Sequence, residues 1–437
     1  MVLILGFGFV IAIGTVILML PVSSAAGEWT RPLDALFTAT SAVCVTGLVV
    51  LDTGTYWSPF VHTVILVLIQ VGGFGFMTGS TLLLFLLIGR RTGLRDRIRV
   101  QASTGVPELG SVTTLVKRIA AFTIIAEVLG ALVIGAAFLG EGLEPVQAAW
   151  WGVFHSVSAF NNAGFDLTGG FRSLADYAGD PWILGAIGVL IVLGGLGFAI
   201  VGDVLAKRRW QRLALETKLV LATSLVLIVG GAVAIGAFEW SNPATLGALP
   251  EVQRPLNALF ESVTLRTAGF SVLNTSALAE ASLFVVMALM FIGGASGSTA
   301  GGIKVNTFSI LLVAIVSTAR GLPSAEAFGR RIQHILIYRA LSVALLSIAV
   351  VFTIGLLLEV LTPPEMTFVQ VLFEAISAVG TVGASTGITP DLPDPARLVT
   401  IVAMFIGRLG PLTLVLALTA RARPVLARPA VESMRIG

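Results

Sequence analysis

Charge is scarce in this chain: Asp, Glu, Lys and Arg make up 12% of its 437 residues, about half the share of a soluble globular domain. With 56% hydrophobic residues and a mean hydropathy of +0.96, a soluble globule is excluded. No stretch is long and polar enough to form a separate soluble domain. The single cysteine, Cys44, excludes an internal disulfide, and three histidines (His62, His155, His334) leave no metal-ligand cluster. GSTAGGIK, at 297–304, lacks the Gly-Lys-Ser/Thr ending of a Walker A loop and follows no strand. An intramembrane His/Asp/Glu constellation of the kind an embedded enzyme needs is also missing, so no enzyme activity is expected.

What the chain has is a succession of apolar runs. A bilayer core needs about 20 apolar residues per helix. Eight spans are expected: 2–20, 59–88, 117–140, 182–206, 218–239, 281–318, 333–361 and 397–420. The first run precedes PVSSAAG, which resembles a signal-peptide cleavage site, but it lacks a basic leader and is as long as a full span. Basic residues gather at 89–99, 207–212, 320–331 and 421–429, whereas other connections carry Glu141, Glu144, Asp166, Asp176, Asp180, Asp391 and Asp394. The positive-inside rule puts the basic set and both termini in the cytoplasm. The pI near 9.3 then reflects topology, and no nucleic-acid partner is implied.

Between paired spans lies a short, half-apolar stretch that ends in glycine. The four read ALFTATSAVCVTGL (35–48), GVFHSVSAFNNAGF (152–165), ALFESVTLRTAGF (258–270) and VLFEAISAVGTVGA (371–384). Each has an aromatic nine or ten residues before the glycine and a Ser or Thr midway. They are too short to cross a bilayer. Irregular backbone at membrane depth is tolerated only where it is buried in protein or lines a water-filled cavity. The expected fold is an all-α integral membrane protein. Four tandem helix–pore loop–helix repeats would stand in pseudo-fourfold arrangement around one ion pore, with repeats at 1–95, 96–210, 211–325 and 326–437. All four would share one orientation, unlike the inverted repeats of secondary transporters.

A ring of backbone carbonyls can replace a cation's hydration shell, and glycine reaches the dihedrals that such a backbone needs. The expected filter residues are Val45, Thr46, Gly47; Asn162, Ala163, Gly164; Thr267, Ala268, Gly269; and Thr381, Val382, Gly383. Only the last group keeps a TVG. Residues 281–318 form a run too long for one span, and five glycines in Gly293–Gly302 would cost a continuous helix on the order of 5 kcal/mol. A broken span is expected there, its loop comprising Gly293, Gly294, Ala295, Ser296, Gly297, Ser298, Thr299, Ala300, Gly301 and Gly302, closed by Lys304. The hydroxyls of Ser296, Ser298 and Thr299 are expected to satisfy freed backbone or to meet a passing ion. Close helix packing is the competing reading of so much glycine. Arg408, inside the last span, costs several kcal/mol at membrane depth and is functional by default. Glu127 is expected to pair locally, Glu261 and Glu374 to be buried with partners, and Arg266 to brace the filter from behind.

TSAVCVTGLVVLDTGTYW with LIQVGGFGFMT, and then SAFNNAGFD, LRTAGFS and GASGSTAGGIKVNTF, resemble the KtrB-type membrane subunits of bacterial Ktr potassium-uptake systems. These belong to the Trk/Ktr/HKT superfamily. The resemblance covers nearly the whole chain and is nearer to these subunits than to the longer TrkH proteins. It implies K⁺ as the transported ion and no covalent cofactor. It implies that 293–302 is an intramembrane gate loop and that Arg408 is its partner and an electrostatic barrier to cations. Some plant HKT members carry Ser at the first-repeat glycine and favour sodium, so Gly47 points to potassium. The resemblance also implies a homodimer in the bacterial plasma membrane with one pore per protomer. A cytosolic RCK-type, KtrA-like ring would regulate it through ATP and ADP, and Na⁺ is a possible activator. Two alternatives stay open: a sodium-conducting or weakly selective HKT-like transporter, and a proton-coupled one relying on Glu127.

Overall fold

The computed structural model describes residues 2–89 and 112–410. The basic segment 421–429, residues 90–99 of the first basic cluster and the end of the expected last span lie outside the described residues.

Four short helices set the plan. They are α2 (Pro32–Cys44), α5 (Pro145–Phe160), α8 (Arg254–Thr264) and α12 (Phe368–Gly380), with 13, 16, 11 and 13 residues. Proline opens the first turn of the first three, where its missing N–H costs nothing. The fourth begins with a capping box, Thr367 with Gln370. At 1.5 Å per residue none reaches across a bilayer.

Long helices flank each short one. α1 (Val2–Met19) and α3 (Pro59–Gly89) enclose α2, and α4 (Val112–Gly140) and α6 (Pro181–Lys207) enclose α5. α7 (Leu215–Glu239) precedes α8, which is followed by a broken pair, α9 (Glu280–Phe291) and α10 (Val305–Ala319). α11 (His334–Leu361) and α13 (Asp394–Leu409) enclose α12. The break at 292–304 falls inside the overlong run, as its glycine content requires. A small antiparallel hairpin, β1 (Glu326–Ala327) with β2 (Arg330–Arg331), follows α10 and has no counterpart in the sequence reading.

The packing closes on itself. α3 packs on α5, α6 on α8, α9 on α12, and α13 returns to α2. Inside this circuit the short-helix aromatics Phe37, Phe154, Phe260 and Phe373 are all buried. Outside, α7 presents Leu225, Val226, Val229 and Val233 to its surroundings. A soluble surface rarely exposes such an apolar face; a lipid-facing helix does. Among the described residues, four helices are long and apolar enough to cross a membrane: α6, α7, α11 and the Val116–Gly140 part of α4.

Two expectations need correction. The run 182–206 is not one uninterrupted helix: Gly197 has φ +74°, because the 293–302 loop packs there. A Cβ on Gly197 would lie 3.0 Å from both the Gly297 oxygen and the Ser298 Cα. The expected last span, 397–420, is also interrupted: α13 stops at Leu409, one residue after Arg408, and Gly410 leaves it with φ +80°.

Candidate functional site

The segments following the four short helices converge end to end. A Cβ on Gly164 would come 2.6 Å from the Ala268 oxygen. In the same way Gly47 abuts the Ala163 oxygen, Gly269 the Val382 oxygen, and Gly383 the Thr46 oxygen. First touches second, second third, third fourth, and fourth first, which is a closed ring. The ring glycines have φ of +92°, +69°, +78° and +90°, so any side chain there is both strained and obstructed.

Two residues before each glycine the backbone is again left-handed: Val45 (φ 56°), Asn162 (58°), Thr267 (74°) and Thr381 (48°). Three of these are β-branched, for which this region is an outlier. Strain repeated at four equivalent places is held there by the surrounding structure. Serines from the short helices hold the ring in place. Gly47 N–H donates to Ser41 Oγ (3.1 Å), Gly383 N–H donates to Ser377 Oγ (3.2 Å), and Ser158 Oγ donates to the Phe165 oxygen (2.7 Å). These are the midway hydroxyls of the sequence pattern, seen at work. Among the described residues, Asn162 Nδ2, Thr267 Oγ1 and Thr381 Oγ1 are buried without a hydrogen-bond partner.

All four ring glycines line one cavity of about 720 Å³, together with Asp52 and Asp166. Burial pushes the Asp166 carboxyl up to about 6; hydrogen bonds from Thr168 oppose this, and the Asp52 charge adds to it.

The 293–302 loop lies against the ring. Gly301 approaches Thr381 Oγ1 and the Gly380 oxygen, and Gly293 approaches Thr267 Cγ2. Thr299 is tied on three sides. Its N–H donates to the Gly194 oxygen (3.2 Å), its hydroxyl donates to Asn162 Oδ1 (2.9 Å), and its carbonyl accepts from Arg408 Nη1. Arg408, 1% exposed, also donates to the Gly72 oxygen at 3.0 Å. Lys304 Nζ donates to the Ala300 and Gly301 oxygens, and Arg266 Nη2 donates to the Gly293 oxygen at 3.0 Å. Ala295 N–H donates to the Gly195 oxygen (2.8 Å), and Ser296 N–H donates to Asn306 Oδ1 (2.9 Å). The Ser298 hydroxyl is buried without a partner among the described residues.

Sequence reasoning overlooked a second fourfold pattern. GGFG (72–75), GGLG (194–197), GGAS (293–296) and GRLG (407–410) occupy matching places along the second long segments, the third in the break between α9 and α10 and the fourth at the end of α13. A Cβ on Gly72, Gly194 or Gly407 would overlap the carbonyl of Val43, Phe160 or Val379, each four residues before a ring glycine. The signal lies in the aligned spacing, and it makes Arg408 the side chain that replaces a glycine of the other three units. Glu127 pairs locally, accepting from Asn161 Nδ2 (3.0 Å) and Gln70 Nε2 (3.3 Å). Asn161 thereby anchors the residue preceding Asn162.

Three comparisons bear on these residues. The family model described as TrkH, cation transport protein, matches residues 3–423. The chain is 42% identical to the Ktr system potassium uptake protein B of Bacillus subtilis, over 95% of this chain and 91% of that one. It is 38% identical to the potassium/sodium uptake protein NtpJ of Enterococcus hirae, over 95% and 92%. The crystal structure of the potassium transporter TrkH from Vibrio parahaemolyticus superposes with a TM-score of 0.73 at 18% identity, covering 95% of this chain and 83% of that one.

Proposed function

The chain belongs to the TrkH family of cation transport proteins, and from that premise we propose that it carries potassium into the cell through the ring of glycine segments. A member of this family is a cation transporter, not an enzyme. The observation that carries the reading is the closed ring. Four backbone segments abut, each left-handed at the glycine and two residues before it. Such segments offer converging carbonyls in place of a hydration shell. The filter is Val45–Gly47, Asn162–Gly164, Thr267–Gly269 and Thr381–Gly383, one from each of four repeats at 1–95, 96–210, 211–325 and 326–437. The partnerless hydroxyls of Thr267 and Thr381 are suited to meet an ion or its water just inside the ring.

On this reading the 293–302 loop is the gate. It lies against the inner side of the ring and is held by Arg408, whose charge repels cations. Release of Thr299 from Arg408 and Asn162 would free the path. The membrane potential is a sufficient driving force: 100 mV supplies about 2.3 kcal/mol per charge, enough for roughly 50-fold accumulation. The cell context follows the same proposal. The protein sits as a homodimer in the bacterial plasma membrane with both termini in the cytoplasm. A KtrA-like RCK ring, responsive to ATP and ADP, docks on the basic loops, and Na⁺ acts as activator.

Cation flux into proteoliposomes, measured with K⁺ or Na⁺ gradients for the wild type and a Gly294–Gly301 deletion, tests the reading. Faster, K⁺-favouring flux in the deletion supports both the filter and the gate. A folded deletion that conducts no better than the wild type removes the gate. Equal K⁺ and Na⁺ flux favours the second reading, a weakly selective cation path, which the unlike strands VTG, NAG, TAG and TVG make reasonable.

A further inference from the structure

Each short helix carries a polar residue directly after its buried aromatic: Thr38, His155, Glu261 and Glu374. They stand eight or nine residues before the ring glycines. The four differ in what they hold.

Glu261 is 5% exposed, and its Oε1 accepts three hydrogen bonds from the strand leaving the ring: Ser271 Oγ at 2.8 Å, Val272 N–H at 2.8 Å and Leu273 N–H at 3.0 Å. These donors begin two residues beyond Gly269. Glu374 is fully buried and accepts from Ser385 Oγ, two residues beyond Gly383, and from Thr389 Oγ1 at 3.0 Å. His155 does the same weakly: Leu167 N–H donates to its Nε2 at 3.4 Å, while its Nδ1 bonds the Trp151 oxygen of its own helix. Thr38 does not reach across; its hydroxyl donates to the Asp34 oxygen one turn back.

A buried carboxylate is costly unless its lone pairs are taken up. Here they are taken up by the segments just outside the ring. Held at its outer end by a carboxylate and at the glycine by its neighbours, each of these strands cannot shift outward independently. A carbonyl ring discriminates between ions by its size or its field, and both depend on how firmly the carbonyls are held. We propose that Glu261 and Glu374 are specificity-determining positioning residues: they brace the third and fourth strands so that the ring keeps its preference for K⁺. Thr38 makes no such brace. The proposal rests on the reading of the ring as the filter.

The test is the K⁺/Na⁺ flux ratio of the full-length protein in proteoliposomes. Its variants are Glu261→Leu, Glu374→Leu, the Gln replacement at each position, Thr38→Val as matched control and Gly269→Ser as a direct change to the ring. Each Leu variant should lower the ratio about fivefold, equivalent to about 1 kcal/mol. The Gln variants, which keep an acceptor oxygen, should recover most of it, and Thr38→Val should leave it unchanged. If a Leu variant does not fold, Ser271→Ala and Ser385→Ala, each removing one donor, should still lower the ratio. A purely structural role would lower thermal stability and leave the ratio of the folded protein unchanged. Gly269→Ser lowering the ratio while the Glu and Ser variants do not overturns the brace and leaves the filter standing. An unchanged ratio in Gly269→Ser removes the filter, and the brace falls with it. A drop in Thr38→Val equal to that in the Glu variants also overturns the brace.

Discussion

Replacing Arg408 by Met keeps an unbranched chain of similar length in a buried site and removes every donor. Arg408 donates to the Thr299 carbonyl of the loop and, at 3.0 Å, to the Gly72 carbonyl. Hydrogen bonds from a charged group contribute about 1.5–3 kcal/mol each. Only the first of these ties the loop, the second joining α13 to α3, so about 1.5–3 kcal/mol is removed from the state in which the loop lies against the ring. Each 1.4 kcal/mol is a factor of ten, so the smaller value shifts the closed-to-open balance about tenfold. If the loop is the gate proposed above and is nearly always shut, K⁺ should then leak about ten times faster. Arg408→Lys, with a point charge and a different reach, should fall between. The assay is K⁺ flux into proteoliposomes, with thermal stability measured in parallel to establish folding. A folded Arg408→Met protein that conducts at or below the wild-type rate would refute the reasoning and leave Arg408 a helix-packing device.

Gly47→Ser places a side chain at φ +92° against the Ala163 oxygen; K⁺ flux should fall and the K⁺/Na⁺ ratio with it, read from the same vesicles. Thr299→Val keeps the β-branched shape and removes the hydroxyl bond to Asn162 Oδ1 at 2.9 Å; about 1 kcal/mol of closed-state stabilisation should be lost, raising basal K⁺ flux about fivefold, and unchanged flux would detach Asn162 from gating. Asp166, whose carboxyl is pushed up to about 6 chiefly by burial, is negative above that pH and neutral below it. Half-saturating external K⁺ should therefore rise as external pH falls through about 6, and Asp166→Asn should abolish this dependence. Because this pKa is raised above its unfolded value, the charged form weakens the fold. Asp166→Asn should then stabilise the protein slightly at neutral pH, as thermal unfolding in detergent would report.

Composition alone made this a membrane protein, because a chain with 12% charge and repeated apolar runs cannot bury itself in water. Periodic spacing exposed the four short segments: an aromatic, a hydroxyl and a glycine recur at matching offsets, and each residue type has a local reason to be there. The broken span was equally legible, since the penalty of five glycines belongs to the backbone of that segment and needs no neighbour to evaluate. Relations between segments were not legible. That Gly47 abuts Ala163 and Gly383 returns to Thr46 is a matter of closure, and the second of these contacts joins residues more than 300 positions apart. The break at Gly197 was hidden because an apolar helix tolerates glycine until another element packs against it. Thr299 looked like one hydroxyl among several; its three ties come from the second and fourth units. Glu261 and Glu374 looked like buried acids in need of partners, and only the path of the chain beyond each glycine supplied them. Local preference and solvent partition are written residue by residue, so the sequence by itself determined the medium, the helices and their breaks. Which carbonyl meets which glycine, and which cation holds which loop, depends on how four unlike units close into a circle, and the tertiary structure alone decided that.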